Sequence, residues 1–128
     1  MFLNNVGIFV KNLEGARQFF TDYFGAKVFK EYNNPDKNFY SYIMEFDEGG
    51  AKLELMSKPE ILDEPKNKDR SGYAHISIKV PSIEKLDEIN QKFKQAGYTI
   101  LYEPATVGGA EIRAITFEDN VIEVNGSH

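Results

Sequence analysis

An internal repeat limits the folds open to this chain more than any other feature of its sequence. Residues 5–10 read NVGIFV, alternate across a strand, and lead into a helical pattern that closes at Gly25. About 70 residues later, residues 75–80 read HISIKV and lead into a second helical pattern that closes at Gly97. The repeat predicts a duplicated module, in which equivalent positions of the two halves carry equivalent roles.

Each half has the pattern of one strand, one helix and three further strands, a βαβββ module. Asn12 and Ser82 stand where N-caps of the two helices are expected, and turn signals at 33–36 and 48–50 separate strands of the first half. The predicted fold is α+β: two tandem βαβββ modules form an eight-stranded open cup with the helices outside. The predicted organisation is a single domain over 1–128, with the first module at 1–57, a linker at 58–72 and the second module at 73–125.

Polar side chains occupy matching positions of the two halves. Because side chains alternate across a strand, these residues are expected on the face opposite the helices. They are Asn5, Glu54, His75 and Glu123. One imidazole, two carboxylates and one amide oxygen suit a divalent metal ion. Taken singly, the histidine is better explained as a satisfied buried residue, and each carboxylate as a charge that solvates an edge strand. Their repeat-equivalent placement on one face nevertheless favours a shared site.

Further candidates concern substrate binding. Aromatic and sulfur-containing side chains recur along one predicted strand and beside the first polar position, at Phe9, Tyr40, Tyr42 and Met44. A pocket wall and a core wall share this pattern, so both interpretations stay open. Arg113 is a candidate for holding an anionic group of the substrate, although a local ion pair with Glu111 is the favoured interpretation.

Composition narrows the partners. Of the 128 residues, 15 are Lys or Arg and 20 are Asp or Glu, which gives a net charge of −5 without a basic run. We therefore expect a small-molecule substrate, with no nucleic acid and no membrane as partner. The absence of cysteine excludes a disulfide, a thiolate zinc site and a thiol nucleophile. No secretory or membrane-spanning pattern is recognised, so a cytoplasmic location is expected.

Four segments carry a family resemblance that extends over nearly the whole chain: residues 5–14, 51–56, 72–77 and 119–123. They resemble the vicinal oxygen chelate superfamily, also called the glyoxalase, bleomycin-resistance and extradiol-dioxygenase superfamily. The resemblance implies a divalent metal ion, such as nickel, zinc, cobalt, manganese or iron, or no metal in some members. It also implies a homodimer, in which modules pair within one chain or between chains.

The resemblance also implies ligand positions and a reaction. Three ligand positions of metal-dependent relatives match Glu54, His75 and Glu123, while the position that usually holds His or Gln is Asn5, so Asn5 or water would complete the shell. The implied function is that of a glyoxalase-like metal-dependent lyase or isomerase. Such an enzyme acts on a small oxygenated substrate, of α-ketoaldehyde or thiol-adduct type, through an enediolate. Glu54 or Glu123 would be the catalytic base.

Two other functions are compatible with the resemblance to different degrees. A metal-free protein that sequesters a drug-like small molecule, as bleomycin-resistance members do, is the alternative. A ring-cleaving dioxygenase is disfavoured, because the iron sites of those relatives use two histidines and a glutamate, whereas only His75 is available inside this chain.

Overall fold

The computed structural model describes residues 1–62, 69, 71–103 and 109–126. The chain divides into two compact units, Met1–Asp63 and Glu64–His128. Within the described residues, each unit contains one α-helix and four strands in the order βαβββ, so the predicted α+β class and the two modules are confirmed. The joining of the two sheets into one cup stays a prediction, as do the domain boundaries, because the linker predicted at 58–72 lies partly outside the described residues.

The first unit is built from strand β1, helix α1 and strands β2, β3 and β4. Their bounds are Asn5–Phe9, Leu13–Phe24, Lys27–Asn34, Phe39–Glu45 and Lys52–Ser57. The strands lie in the order β1-β4-β3-β2. Strand β1 runs parallel to β4, while β3 pairs antiparallel with both β4 and β2. The strand that contains Glu54 therefore lies inside the sheet, between β1 and β3.

The second unit repeats this arrangement with strand β5, helix α2 and strands β6, β7 and β8. Their bounds are Ile76–Lys79, Ile83–Gln95, Thr99–Tyr102, Glu111–Ile115 and Val121–Asn125. The order is β5-β8-β7-β6, with β5 parallel to β8 and the other pairs antiparallel. Glu123 thus occupies the same internal strand of its sheet as Glu54 does.

Both predicted helix caps are present. The Asn12 side chain accepts a hydrogen bond from the backbone N–H of Gly15 at 2.9 Å, and Ser82 accepts one from Lys85 at 3.1 Å. Such caps satisfy amide donors that lack a partner within the helix, and each stabilises a helix by about 1 kcal/mol. Gly25 ends α1 in the left-handed conformation, with a φ of 67°. Neither helix of the described chain is long and apolar enough to cross a membrane.

The core of each unit lies between its helix and one face of its sheet. Helix α1 packs on β3 and β4, where Phe20 is fully buried, and α2 packs on β6 and β7, where Phe93 is fully buried. The aliphatic neighbours of the two candidate glutamates are buried as well: Leu53, Leu55, Ile122 and Val124. Burial of one such side chain contributes roughly 1.5–3 kcal/mol. The predicted separation of an aliphatic helix face from a polar opposite face is therefore confirmed.

The pairing of β3 with β4 shows which face of the sheet carries three candidates, Tyr40, Tyr42 and Met44, whose role in substrate binding stays a prediction. Paired residues of an antiparallel ladder point to the same face, and Tyr42 pairs with Leu55 while Met44 pairs with Leu53. All three therefore lie on the helix side of the sheet, opposite Glu54. Met44 is fully buried, and the Tyr42 hydroxyl donates a hydrogen bond to Glu14 of α1.

Candidate functional site

A polar cluster surrounds Glu123 on the face of the second sheet that is turned away from α2. Glu123 Oε2 accepts a hydrogen bond from Arg113 Nη2 at 2.6 Å and lies 3.5 Å from His75 Nε2. Glu123 Oε1 accepts hydrogen bonds from Ser77 Oγ and Asn125 Nδ2, each at 3.1 Å. The side chain of Glu123 is 12% exposed and that of His75 is 34% exposed. A solute can therefore reach the imidazole, while the carboxylate is held from several directions.

Strand register explains how this cluster forms. Ser77 of β5 and Arg113 of β7 are the partners of Glu123 on its two sides. Asn125 follows Glu123 by two residues, which places it on the same face of β8. His75 immediately precedes β5, two residues before Ser77. Four polar side chains from three strands or their ends thus meet at one carboxylate.

Hydrogen bonding favours the ionised form of Glu123. The Asn125 amide is the largest cause of a pKa below the usual range, and burial acts in the opposite direction. Arg113, Ser77 and the nearby His75 lower the pKa of Glu123 further. A carboxylate whose pKa is lowered is a weak proton acceptor, but it is well suited to hold a cation.

Glu54 occupies the equivalent place in the first sheet with different neighbours. Its strand partners are Gly7 of β1 and Ile43 of β3, where Glu123 has Ser77 and Arg113. Within the described part of the chain, Ser41 is the side chain that donates to Glu54, from Oγ to Oε2 at 3.1 Å. Among the described residues, Glu54 therefore carries fewer side-chain hydrogen bonds than Glu123, and it forms no ion pair with an arginine.

Asn5 and Phe9 share the Glu54 face of the first sheet. Both alternate with Val6 and Ile8 on β1, and a Cβ added at Gly7 between them would lie 4.0 Å from Glu54 Oε1. Phe9 is 45% exposed, and Lys58 Nζ lies 5.0 Å from the centroid of its ring. Of the four apolar candidates for substrate binding, Phe9 is thus the one on the same face as a candidate glutamate.

Tyr40 contributes to an open cavity of about 420 Å³ instead. Its lining residues belong to the first unit: Lys11, Asn38, Tyr40, Ser57, Lys58, Pro59 and Ile61.

Arg113 also differs from expectation, because its distance to Glu111 Oε2 is 3.9 Å while its contact with Glu123 is much shorter. Sequence reasoning missed Ser77 and Asn125, although both follow a candidate ligand by two residues and therefore share its face.

Two residues of the cluster, His75 and Glu123, match the ligands of a metal ion in donor type and in spacing. Metal–nitrogen and metal–oxygen bonds of about 2.1 Å place neighbouring ligands roughly 3.0–3.5 Å apart. The separation of 3.5 Å between His75 Nε2 and Glu123 Oε2 is compatible with this spacing. Within each unit taken alone, the described residues include no group of three or more histidines or carboxylates arranged to hold a metal. His75 and Glu123 can therefore supply two ligands.

Comparison with known proteins identifies the family. A family model described as the Glyoxalase/Bleomycin resistance protein/Dioxygenase superfamily matches residues 2–121. The chain belongs to this superfamily. No curated protein matches the sequence.

Solved structures of this superfamily share the fold. The trypanothione-dependent glyoxalase I of Leishmania major is 20% identical with a TM-score of 0.79, and the alignment covers 98% of this chain and 86% of that one. A mutant of the fosfomycin resistance protein FosX of Listeria monocytogenes, complexed with Mn(II) and a dihydroxypropylphosphonic acid, is 19% identical with a TM-score of 0.72. This alignment covers 98% of the present chain and 92% of the Listeria protein. A possible glyoxalase from Bacillus cereus is 25% identical with a TM-score of 0.64, and both chains are covered to 98%.

Proposed function

We propose that this chain is a glyoxalase-like, metal-dependent lyase or isomerase that acts on a small oxygenated substrate. The observation that carries the proposal is the approach of His75 Nε2 to Glu123 Oε2, at a distance suited to two ligands of one ion. Membership of the superfamily supports it, as does the Mn(II) in the structure of the Listeria fosfomycin resistance protein.

The proposed ligands are those predicted from the repeat: Glu54, His75 and Glu123, with Asn5 or water completing the shell. These residues would hold a divalent ion, which would act there as a Lewis acid towards a substrate oxygen and make the neighbouring C–H group more acidic. The imidazole of His75 is the preferred donor for a borderline ion, because softer nitrogen ligands bind such ions better than an amide oxygen does.

The two glutamates receive different roles. The hydrogen bonds from Asn125, Arg113 and Ser77 lower the pKa of Glu123 and weaken it as a proton acceptor. From the described residues, Glu54 accepts one side-chain hydrogen bond, from Ser41 to Oε2, which leaves Oε1 to take a proton from the substrate. We therefore assign general base catalysis to Glu54 and cation binding to Glu123.

Metal content and isomerase activity test this assignment. The protein is loaded separately with nickel, cobalt, zinc and manganese, and bound metal is measured beside turnover of an α-ketoaldehyde thiol adduct. His75→Ala is expected to lose most of the metal, whereas Glu54→Gln is expected to lose most of kcat and retain more metal. Glu60→Gln, a change of an exposed carboxylate on the first unit, serves as the matched control. Wild-type protein that binds none of the four ions would contradict the proposal.

A metal-free binding protein for a small molecule is the second candidate. The ion pair between Arg113 and Glu123 favours it, because a carboxylate already neutralised by a guanidinium has less need of a metal. This function predicts saturable binding of a drug-like small molecule to chelator-treated protein. Binding that requires added metal would instead support the enzyme.

A further inference from the structure

The two repeat-equivalent glutamates differ in the residue directly opposite them on the neighbouring antiparallel strand. Glu54 is opposite Ile43, whereas Glu123 is opposite Arg113. The strand order and the pairing directions are the same in both sheets, so Ile43 and Arg113 occupy equivalent positions of the two modules. The arginine is therefore a feature of one copy of the module, and the fold does not require it.

Arg113 contacts the oxygen of Glu123 that also faces the imidazole. Its Nη2 atom lies 2.6 Å from Glu123 Oε2, and His75 Nε2 lies 3.5 Å from the same oxygen. The other oxygen already accepts from Ser77 and Asn125. A guanidinium stays charged at every physiological pH. A cation that approaches His75 and Glu123 together must therefore compete with Arg113 for Oε2.

Arg113 also has a second acidic neighbour. Glu111 Oε2 lies 3.9 Å from Arg113 Nη2, on the same strand and the same face. The Nε atom of Arg113 is buried and has no hydrogen-bond partner among the described residues. The Arg113 side chain is 39% exposed. Its hydrogen-bonding capacity is not fully used beside Glu123, and a small change of its conformation would bring it into contact with Glu111.

We propose that Arg113 is an internal competitor of the divalent cation: it neutralises Glu123 while no metal is bound and transfers to Glu111 when a metal takes its place. The inference rests on the proposed metal-dependent function and adds the residue that sets metal affinity. Close charge pairs of this kind have coupling energies that correspond to about a tenfold or larger change in affinity. We therefore expect Arg113→Met to bind Mn(II) and Ni(II) about tenfold more tightly than the wild type.

Calorimetric titration with Mn(II) or Ni(II) alone tests this inference on the chelator-treated full chain. Arg113→Lys keeps the charge and is expected to stay near the wild-type affinity. Arg17→Met removes one positive charge from the ion pair with Glu14 on α1, and it controls for the change in net charge. It is expected to leave the affinity unchanged. Circular dichroism of each variant verifies that the chain is folded before titration.

A double-mutant cycle makes the proposed movement testable. Glu111→Gln is expected to weaken metal binding in the wild-type background, because Arg113 then loses its second partner. The same change is expected to have little effect in the Arg113→Met background. Equal affinities for wild type and Arg113→Met would overturn the competitor role while leaving the metal site intact. If neither the wild type nor Arg113→Met binds metal, both this inference and the proposed function are overturned. Equal effects of Glu111→Gln in both backgrounds would refute the movement of Arg113 to Glu111.

Discussion

Replacement of Glu123 by Gln is expected to destabilise the second unit in a pH-dependent manner. The folded state holds the ionised carboxylate with hydrogen bonds from Arg113, Ser77 and Asn125, which lower its pKa. Glutamine retains an oxygen that can accept from a hydroxyl or an amide, but it leaves the guanidinium without its counter-charge. Loss of one hydrogen-bonded charge partner costs about 1–3 kcal/mol, and the exposure of Arg113 favours the lower half of this range.

The sign of the pH dependence follows from the direction of the shift. Because the pKa of Glu123 is lower in the folded chain than in the unfolded chain, its contribution to stability is fully present above the usual pKa of a glutamate. It is lost as the pH falls through the folded pKa. Urea denaturation of metal-free protein should therefore show a gap of about 1–2 kcal/mol between wild type and Glu123→Gln at pH 7, which narrows towards pH 3. Glu60→Gln is the control, and an unchanged gap across this range would refute the electrostatic explanation.

Three further predictions concern the caps, the first ligand position and the assembly. Ser82→Ala removes the acceptor for the Lys85 amide, and urea denaturation should show a loss of about 1 kcal/mol, whereas Ser82→Thr should lose much less. Asn5→His replaces an amide by an imidazole and should raise the bound metal after nickel loading, measured by elemental analysis; unchanged content would exclude this position from the shell. A homodimer is expected from the superfamily, and light scattering that gives a monomer mass at micromolar concentration would contradict it.

The fold was predictable because its signals are local or repeated. The caps at Asn12 and Ser82, the glycine that ends α1 and the alternation around Glu54 and Glu123 each depend on a few neighbouring residues. The repeat then confirms each assignment a second time. Strand ends were less predictable, since the second module was expected to begin at residue 73, whereas its first strand begins at Ile76.

Side-chain partners across strands were not predictable to the same degree. Alternation shows that Tyr40, Tyr42 and Met44 share a face, but the pairing with β4 decides that this face meets α1. The contact between Arg113 and Glu123 likewise depends on the register of β7 against β8. A shift of one residue would reverse the face of every side chain, and one sequence contains no direct measure of register.

The parallel pairing of β1 with β4 has a consequence for the order in which the chain acquires its structure during synthesis. Strand β1 emerges first, yet its partner in the sheet is the last strand of the same module, Lys52–Ser57. At about 5–20 residues per second, β1 waits several seconds for that partner, and the loop closure has to precede the stabilising contacts. Once residue 57 has left the ribosome, every strand of the first sheet is available, before any strand of the second sheet has emerged.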